Sequence, residues 1–152
     1  MRTVYRVLAY AIAALVAVQS AAIGYAVFNQ LHWIENGGTL DKATLETMES
    51  GEATWIGAMI FHAFNGFAVL LIALALLIVS FFAKIPHGVR WAVIVLVCTV
   101  VQIALGSLSR LLSEIGAVHG AVALVLFGVA VMAAMRARKP AAVEETVPAS
   151  VA

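Results

Sequence analysis

Apolar positions in this chain gather into four long uncharged blocks, each closed off by charge. The blocks run from about Val7 to Phe28, from Trp55 or Ile56 to Phe82, from Trp91 to Leu108, and from Ile115 to Met135. An α-helix needs roughly 20 apolar residues to cross about 30 Å of hydrocarbon, and each block meets or approaches that length. The pattern therefore predicts four transmembrane helices within residues 1–136. Between the first two blocks, residues 30–55 form an extracytoplasmic loop. Within it Gly37 and Gly38 break the chain ahead of Thr39, which is placed to cap a short interfacial helix carrying Leu40, Leu45 and Met48. Residues 137–152, with Pro140 and Pro148, lack any period and read as a disordered cytoplasmic tail.

Arg2 and Arg6 ahead of an apolar run that reaches Ser20, Ala21 and Ala22 resemble the start of a secretory signal. The run continues well beyond a signal's apolar region of roughly 7–15 residues, which makes it a retained span. Composition agrees: of 152 residues 64% are hydrophobic and 11% charged. Soluble domains carry about 45–50% and 25%, so this chain has more apolar surface than a soluble fold buries. The nine Lys and Arg cluster at block ends rather than along a stripe, which excludes nucleic acid as a partner and makes the lipid bilayer the first one. The single cysteine, Cys98, lies inside an apolar block and provides no disulfide framework and no thiolate cluster.

Basic residues near span ends stay on the cytoplasmic side. Arg2, Arg6, Lys84, Arg90, Arg136, Arg138 and Lys139 share one side, leaving Lys42 and Arg110 on the other. The expected protein is multi-pass in the cytoplasmic membrane with both termini cytoplasmic, and the loop bearing Glu35, Asp41, Glu46, Glu49 and Glu52 lies outside. Trp33, Trp55 and Tyr25 mark the outer interface, Tyr5 and Trp91 the inner one.

The blocks also repeat. Arg6, Val18-Gln19, Gly24 and then His62 recur in order as Arg90, Val101-Gln102, Gly106 and His119. Both hairpins start on the same side, so the fold expected is an all-α integral membrane four-helix bundle built from two parallel helical-hairpin repeats with pseudo-two-fold symmetry along the membrane normal. That symmetry sets His62 and His119 face to face. Counted from the inner charges, His119 lies about 26 Å and His62 at most about 33 Å deep, in the outer third of the membrane.

Two facing imidazoles in an apolar bundle are what a six-coordinate b-type haem needs, with four nitrogens from the macrocycle and one from each side. His62 and His119 are thus the metal ligands expected. Asn65, Gly66 and Ala73 follow the first, and Ala123 and Ala130 the second; small residues there permit close helix approach or leave room for a flat ligand. Asn65 is placed to bond a neighbouring helix or a ligand edge. Arg110 is the cation expected at the propionates, although Glu114 four residues on offers it an ion pair. Gln19 and Gln102 fall near mid-membrane, read chiefly as interhelical hydrogen bonders, and their symmetry predicts a mutual contact below the haem. His32, in the outer loop, and His87, after Pro86, are expected to be solvated.

Phe61-His62-Ala63-Phe64-Asn65-Gly66, Gln102-Ile103-Ala104-Leu105-Gly106 and Ala117-Val118-His119-Gly120-Ala121 resemble one four-helix half of the haem A synthase family. The resemblance covers roughly residues 5 to 136. It implies histidine ligands on the second and fourth helices, with Gly66 and Gly120 beside them at the cofactor. It does not extend to the synthase activity. Met59 stands where that family has a glutamate one turn before the second-helix histidine, and its extracytoplasmic cysteine pair has no counterpart. In size and pattern the chain is also similar to small four-span bacterial membrane proteins grouped as a domain of unknown function, which implies a fold without an activity.

The function expected is a bis-histidine haem b protein serving electron transfer or carrying haem within a larger membrane complex beside a redox partner. The alternative is a cofactor-free accessory subunit of such a complex. No general base, nucleophile or metal cluster beyond the histidine pair argues for an enzyme, and no span has the buried acid or Gly/Pro break of a transport path.

Overall fold

A computed structural model describes residues 1–44 and 54–138, and among these there is helix and no strand. Helix α1 covers Arg2–Glu35, α2 Thr54–Ser80, α3 Gly88–Leu108 and α4 Ser113–Arg136. All four are long and apolar enough to cross a membrane, the pattern of a multi-pass membrane protein. None contains proline, and the alanine and leucine that fill them are strong helix formers.

The helices form a ring. α1 packs against α2 and α4, and α3 packs against the same two, so α2 and α4 stand on one diagonal. Successive helices run antiparallel: Gln19 and Leu15 of α1 meet His62 and Asn65 of α2, and the connections from α2 to α3 and from α3 to α4 are short. The start of α1, the end of α2, the start of α3 and the end of α4 therefore meet at one end of the bundle. Arg2, Arg6, Lys84, Arg90, Arg136 and Arg138 all lie there, and this is called the basic end below.

Several contacts sew the basic end together. The Arg2 guanidinium donates to the carbonyl of Lys84 at 2.6 Å, the Tyr5 hydroxyl to that of Gly88 at 3.0 Å, and Arg138 to the Tyr10 hydroxyl at 3.5 Å. Arg136 stacks over the Trp91 ring, 4.8 Å from its centre. Tyr5 is fully buried, so it is a core residue rather than the interfacial ring expected. The α2–α3 turn is tight enough to hold Lys84 and His87 at φ 50° and 57°, in the left-handed region. His87 is exposed there, as expected.

At the other end α1 runs two turns beyond Phe28, so His32 and Trp33 sit on the helix and not in a loop. His32 is exposed. The helix stops where Gly37 takes φ +90°; its N–H donates to Ile34 and that of Gly38 to Trp33, a Schellman cap. Gly38 lies flat against the Trp33 indole, leaving no space for a β-carbon. The next helical turn begins at Lys42 and is capped by Asp41, not Thr39: the Asp41 carboxylate accepts from the N–H and hydroxyl of Thr44 at 2.7 and 2.6 Å. Those bonds hold the Asp41 carboxyl below its usual range. Leu45 and Met48 fall outside the described residues, as does the tail from Lys139. Ala137, assigned above to the tail, is buried against the bundle.

The apolar core fills only part of the bundle's length. Tyr5, Ala9, Ile12, Ala13 and Val16 of α1 pack with Val69, Ala73 and Leu76 of α2, Ala92 and Val95 of α3, and Leu126, Ala130, Ala133 and Ala134 of α4. Beyond Val16, Asn65, Thr99 and Leu126 no described residue of these helices is buried until Ala26 and Trp55, which form a small separate cluster near the far end. Between the two clusters lies the level of His62 and His119.

Candidate histidine site

His62 on α2 and His119 on α4 project toward each other across the bundle, ring centres 6.1 Å apart and planes inclined by 61°. Both are half-buried. Nδ1 of His62 lies 3.3 Å from the carbonyl oxygen of Gln19 on α1, and Nδ1 of His119 lies 3.0 Å from that of Gln102 on α3. A carbonyl can only accept, so each Nδ1 carries the proton and donates. In a neutral ring Nε2 is then left with its lone pair, and each ring is aimed by the helix preceding its own. A metal-bound histidine is typically fixed in this way by its outer nitrogen.

The two glutamine side chains share no hydrogen bond, so the mutual contact that the sequence symmetry predicts below the histidines is not formed. Each serves the histidine of its own hairpin. The Gln102 side chain donates through Nε2 to the main-chain carbonyl of His119 at 2.8 Å, closing a two-bond exchange between α3 and α4. The Gln19 amide nitrogen lies against Gly66, where an added β-carbon would approach it to 3.4 Å. Both carboxamide oxygens, Gln19 Oε1 and Gln102 Oε1, are buried without a hydrogen-bond partner, as is the indole nitrogen of Trp55. Acceptors in that state call for a donor such as ordered water.

Of the other residues singled out, Asn65 is buried and donates to the main-chain carbonyl of Leu15 at 3.3 Å. It is an interhelical bond just beneath the histidines. Ala73 and Ala130 are fully buried in the packed half, so these small residues serve close helix approach. Ala123 packs at the margin of the same core. Gly120 is exposed, with open space where a β-carbon would be. Arg110 is exposed in the α3–α4 turn, while Glu114 accepts from the Ser113 hydroxyl at 3.3 Å; Arg110 and Glu114 do not form an ion pair.

Gly106 is the residue whose part the sequence pattern did not disclose. A β-carbon there would stand 3.0 Å from Cε1 of His119 and 3.3 Å from its Nδ1, so the missing side chain is what lets the imidazole lie against α3. The available signal was its spacing of four from Gln102, which puts both on one helix face.

Two aimed nitrogens can serve a metal only in a limited way. Among the described residues no group of three or more His, Cys, Asp or Glu could hold a metal ion. A structural zinc wants about four protein ligands and a catalytic one about three, so neither fits. Imidazoles bound on opposite sides of one metal, at roughly 2 Å each, have ring centres roughly 6 Å apart, and the 6.1 Å observed is that spacing. Two imidazoles alone would leave a metal's remaining positions to a non-protein ligand. The chain matches no protein family, no curated protein and no solved structure.

Proposed function

We propose that the chain is a membrane haem protein in which His62 and His119 hold a b-type haem as axial ligands. The supporting observation is the imidazole pair itself: carbonyl-anchored at Nδ1, 6.1 Å between centres, at the level where the buried core stops. A haem held by His62 and His119 would supply one-electron transfer. Electron transfer, or carriage of haem within a larger membrane complex, is therefore the function.

The protein's own groups have distinct tasks. His62 and His119 offer Nε2, while the carbonyls of Gln19 and Gln102 orient the rings and raise their basicity. Gly106 admits the His119 ring, Gly66 admits the Gln19 amide, and Asn65 ties α2 to α1 below them. Gly120, exposed beside His119, has the weakest support of the set. Arg110 is a cation at the far end suited to a carboxylate edge.

The two hairpins are read as repeats about a pseudo-two-fold axis. The matched contacts Gln19–His62 and Gln102–His119 support this, and the resemblance to half of a haem A synthase points the same way. By the positive-inside rule the basic end is cytoplasmic, which puts the histidines toward the outer face of the cytoplasmic membrane. A cofactor-free accessory subunit is the second reading. It is favoured by Asn65 and Gln102, whose interhelical bonds hold the bundle with or without a ligand.

Reduced-minus-oxidised spectra of protein produced with ample haem separate the two. Wild type is expected to show the bands of a low-spin b-type haem, and His62→Ala and His119→Ala each to lose them while remaining helical. A well-folded, haem-supplied wild type without such bands ends the proposal and leaves the accessory subunit.

A further inference from the structure

The basic end carries a second candidate site, independent of the histidines. Arg2, Thr3 and Arg6 of α1 and Ala137 beyond α4 line an open cleft of about 230 Å³. Arg2 is half-buried and pinned by its bond to Lys84, so its charge is held in place; Arg6 is exposed one turn further along the same face. Arg138 stands next to them, reaching Tyr10 across the seam between α4 and α1. No described carboxylate answers this charge. The described acids, Glu35, Asp41 and Glu114, all lie at the opposite end of the bundle.

Apolar surface begins immediately beside the cleft. Val7 continues the face of α1 that bears Thr3 and is 58% exposed. Two guanidinium groups and a hydroxyl above such a surface match a phosphate diester with attached acyl chains. Arginine suits phosphate because its planar fork donates two parallel hydrogen bonds. Basic pockets between transmembrane helices are recognised headgroup sites for acidic lipids.

We propose that this cleft binds one anionic phospholipid, with its phosphate between Arg2 and Arg6, its glycerol oxygens at Thr3, and its chains along Val7. A zwitterionic lipid offers the same phosphate, but its ammonium group would face Arg6 and Arg138 and be repelled. The bound lipid would bridge α1 and α4.

The test uses the full chain, purified in neutral detergent and titrated with phosphatidylglycerol, phosphatidylcholine or inorganic phosphate, with retained lipid counted by native mass spectrometry. Phosphatidylglycerol is expected to leave one tightly retained lipid on wild type. Arg6→Gln, which removes no hydrogen bond or ion pair among the described residues, should weaken retention roughly fivefold, and Arg2→Gln with Arg6→Gln roughly 25-fold. Arg90→Gln, an exposed arginine of the same end outside the cleft, should leave retention unchanged. Equal retention of phosphatidylcholine, equal loss in Arg90→Gln, or no loss in Arg6→Gln would overturn the site. Displacement of the lipid by millimolar inorganic phosphate would overturn the lipid as occupant.

Discussion

The residue that makes the sharpest distinction between fold and site is Gly106. Alanine is favoured over glycine inside a helix by about 0.8–1 kcal/mol, which offsets the loss of one hydrogen bond of about 0.5–1.5 kcal/mol, so Gly106→Ala should change the thermal midpoint little. The added methyl would press on the His119 ring at 3.0 Å, turning it from the Gln102 carbonyl. Retention of haem is expected to fall about tenfold, as when an outer-shell partner of a metal ligand is lost, and this can be read by dilution or competition with apomyoglobin. Unchanged haem retention would show that the ring position is not needed. His62, His119, Gln19 and Gln102 were legible beforehand because imidazoles and carboxamides are conspicuous in apolar spans. It could not show that the glutamines act on the rings through main-chain carbonyls, since every residue has one. Nor could it show that Asn65 bonds Leu15 and not a ligand, because that choice depends on how α1 and α2 are rotated against each other.

For the helices, alanine sets the spacing in the packed half. Ala9, Ala73, Ala92, Ala130, Ala133 and Ala134 have no exposed surface, and no helix there could accept a larger side chain without moving its neighbour. Ala130→Leu is expected to cost about 1–3 kcal/mol and to lower the unfolding midpoint in detergent, whereas Leu124→Ala, on the exposed outer face, should change it little. The four helices themselves were legible, because twenty uncharged residues in a row have few alternatives. Their ends were less so. Crossing length is satisfied near Phe28, yet α1 continues until Gly37 supplies a left-handed residue, since hydrogen bonding and not hydropathy ends a helix. The same applies to Asp41, which displaced Thr39 as a cap by reaching two donors of Thr44 at once.

Taken whole, the molecule separates its charges by end, with six described cations at the basic end and the described acids at the other. A reporter fused after Ala152 is expected to be active only in its cytoplasmic form, and one inserted between Gly37 and Gly38 only in its exported form; the reverse result would invert the orientation proposed. The distribution of the core has a mechanical consequence as well. Helices sewn at one extremity act as levers: His62 stands 18 residues before the last residue of α2, roughly 27 Å away at about 1.5 Å per residue. A pivot of about 2° at the stitched seam would therefore move an imidazole by roughly 1 Å, half a coordination bond. Whatever grips Arg2 and Arg6 would thus have leverage over how closely the two imidazoles approach at the opposite extremity.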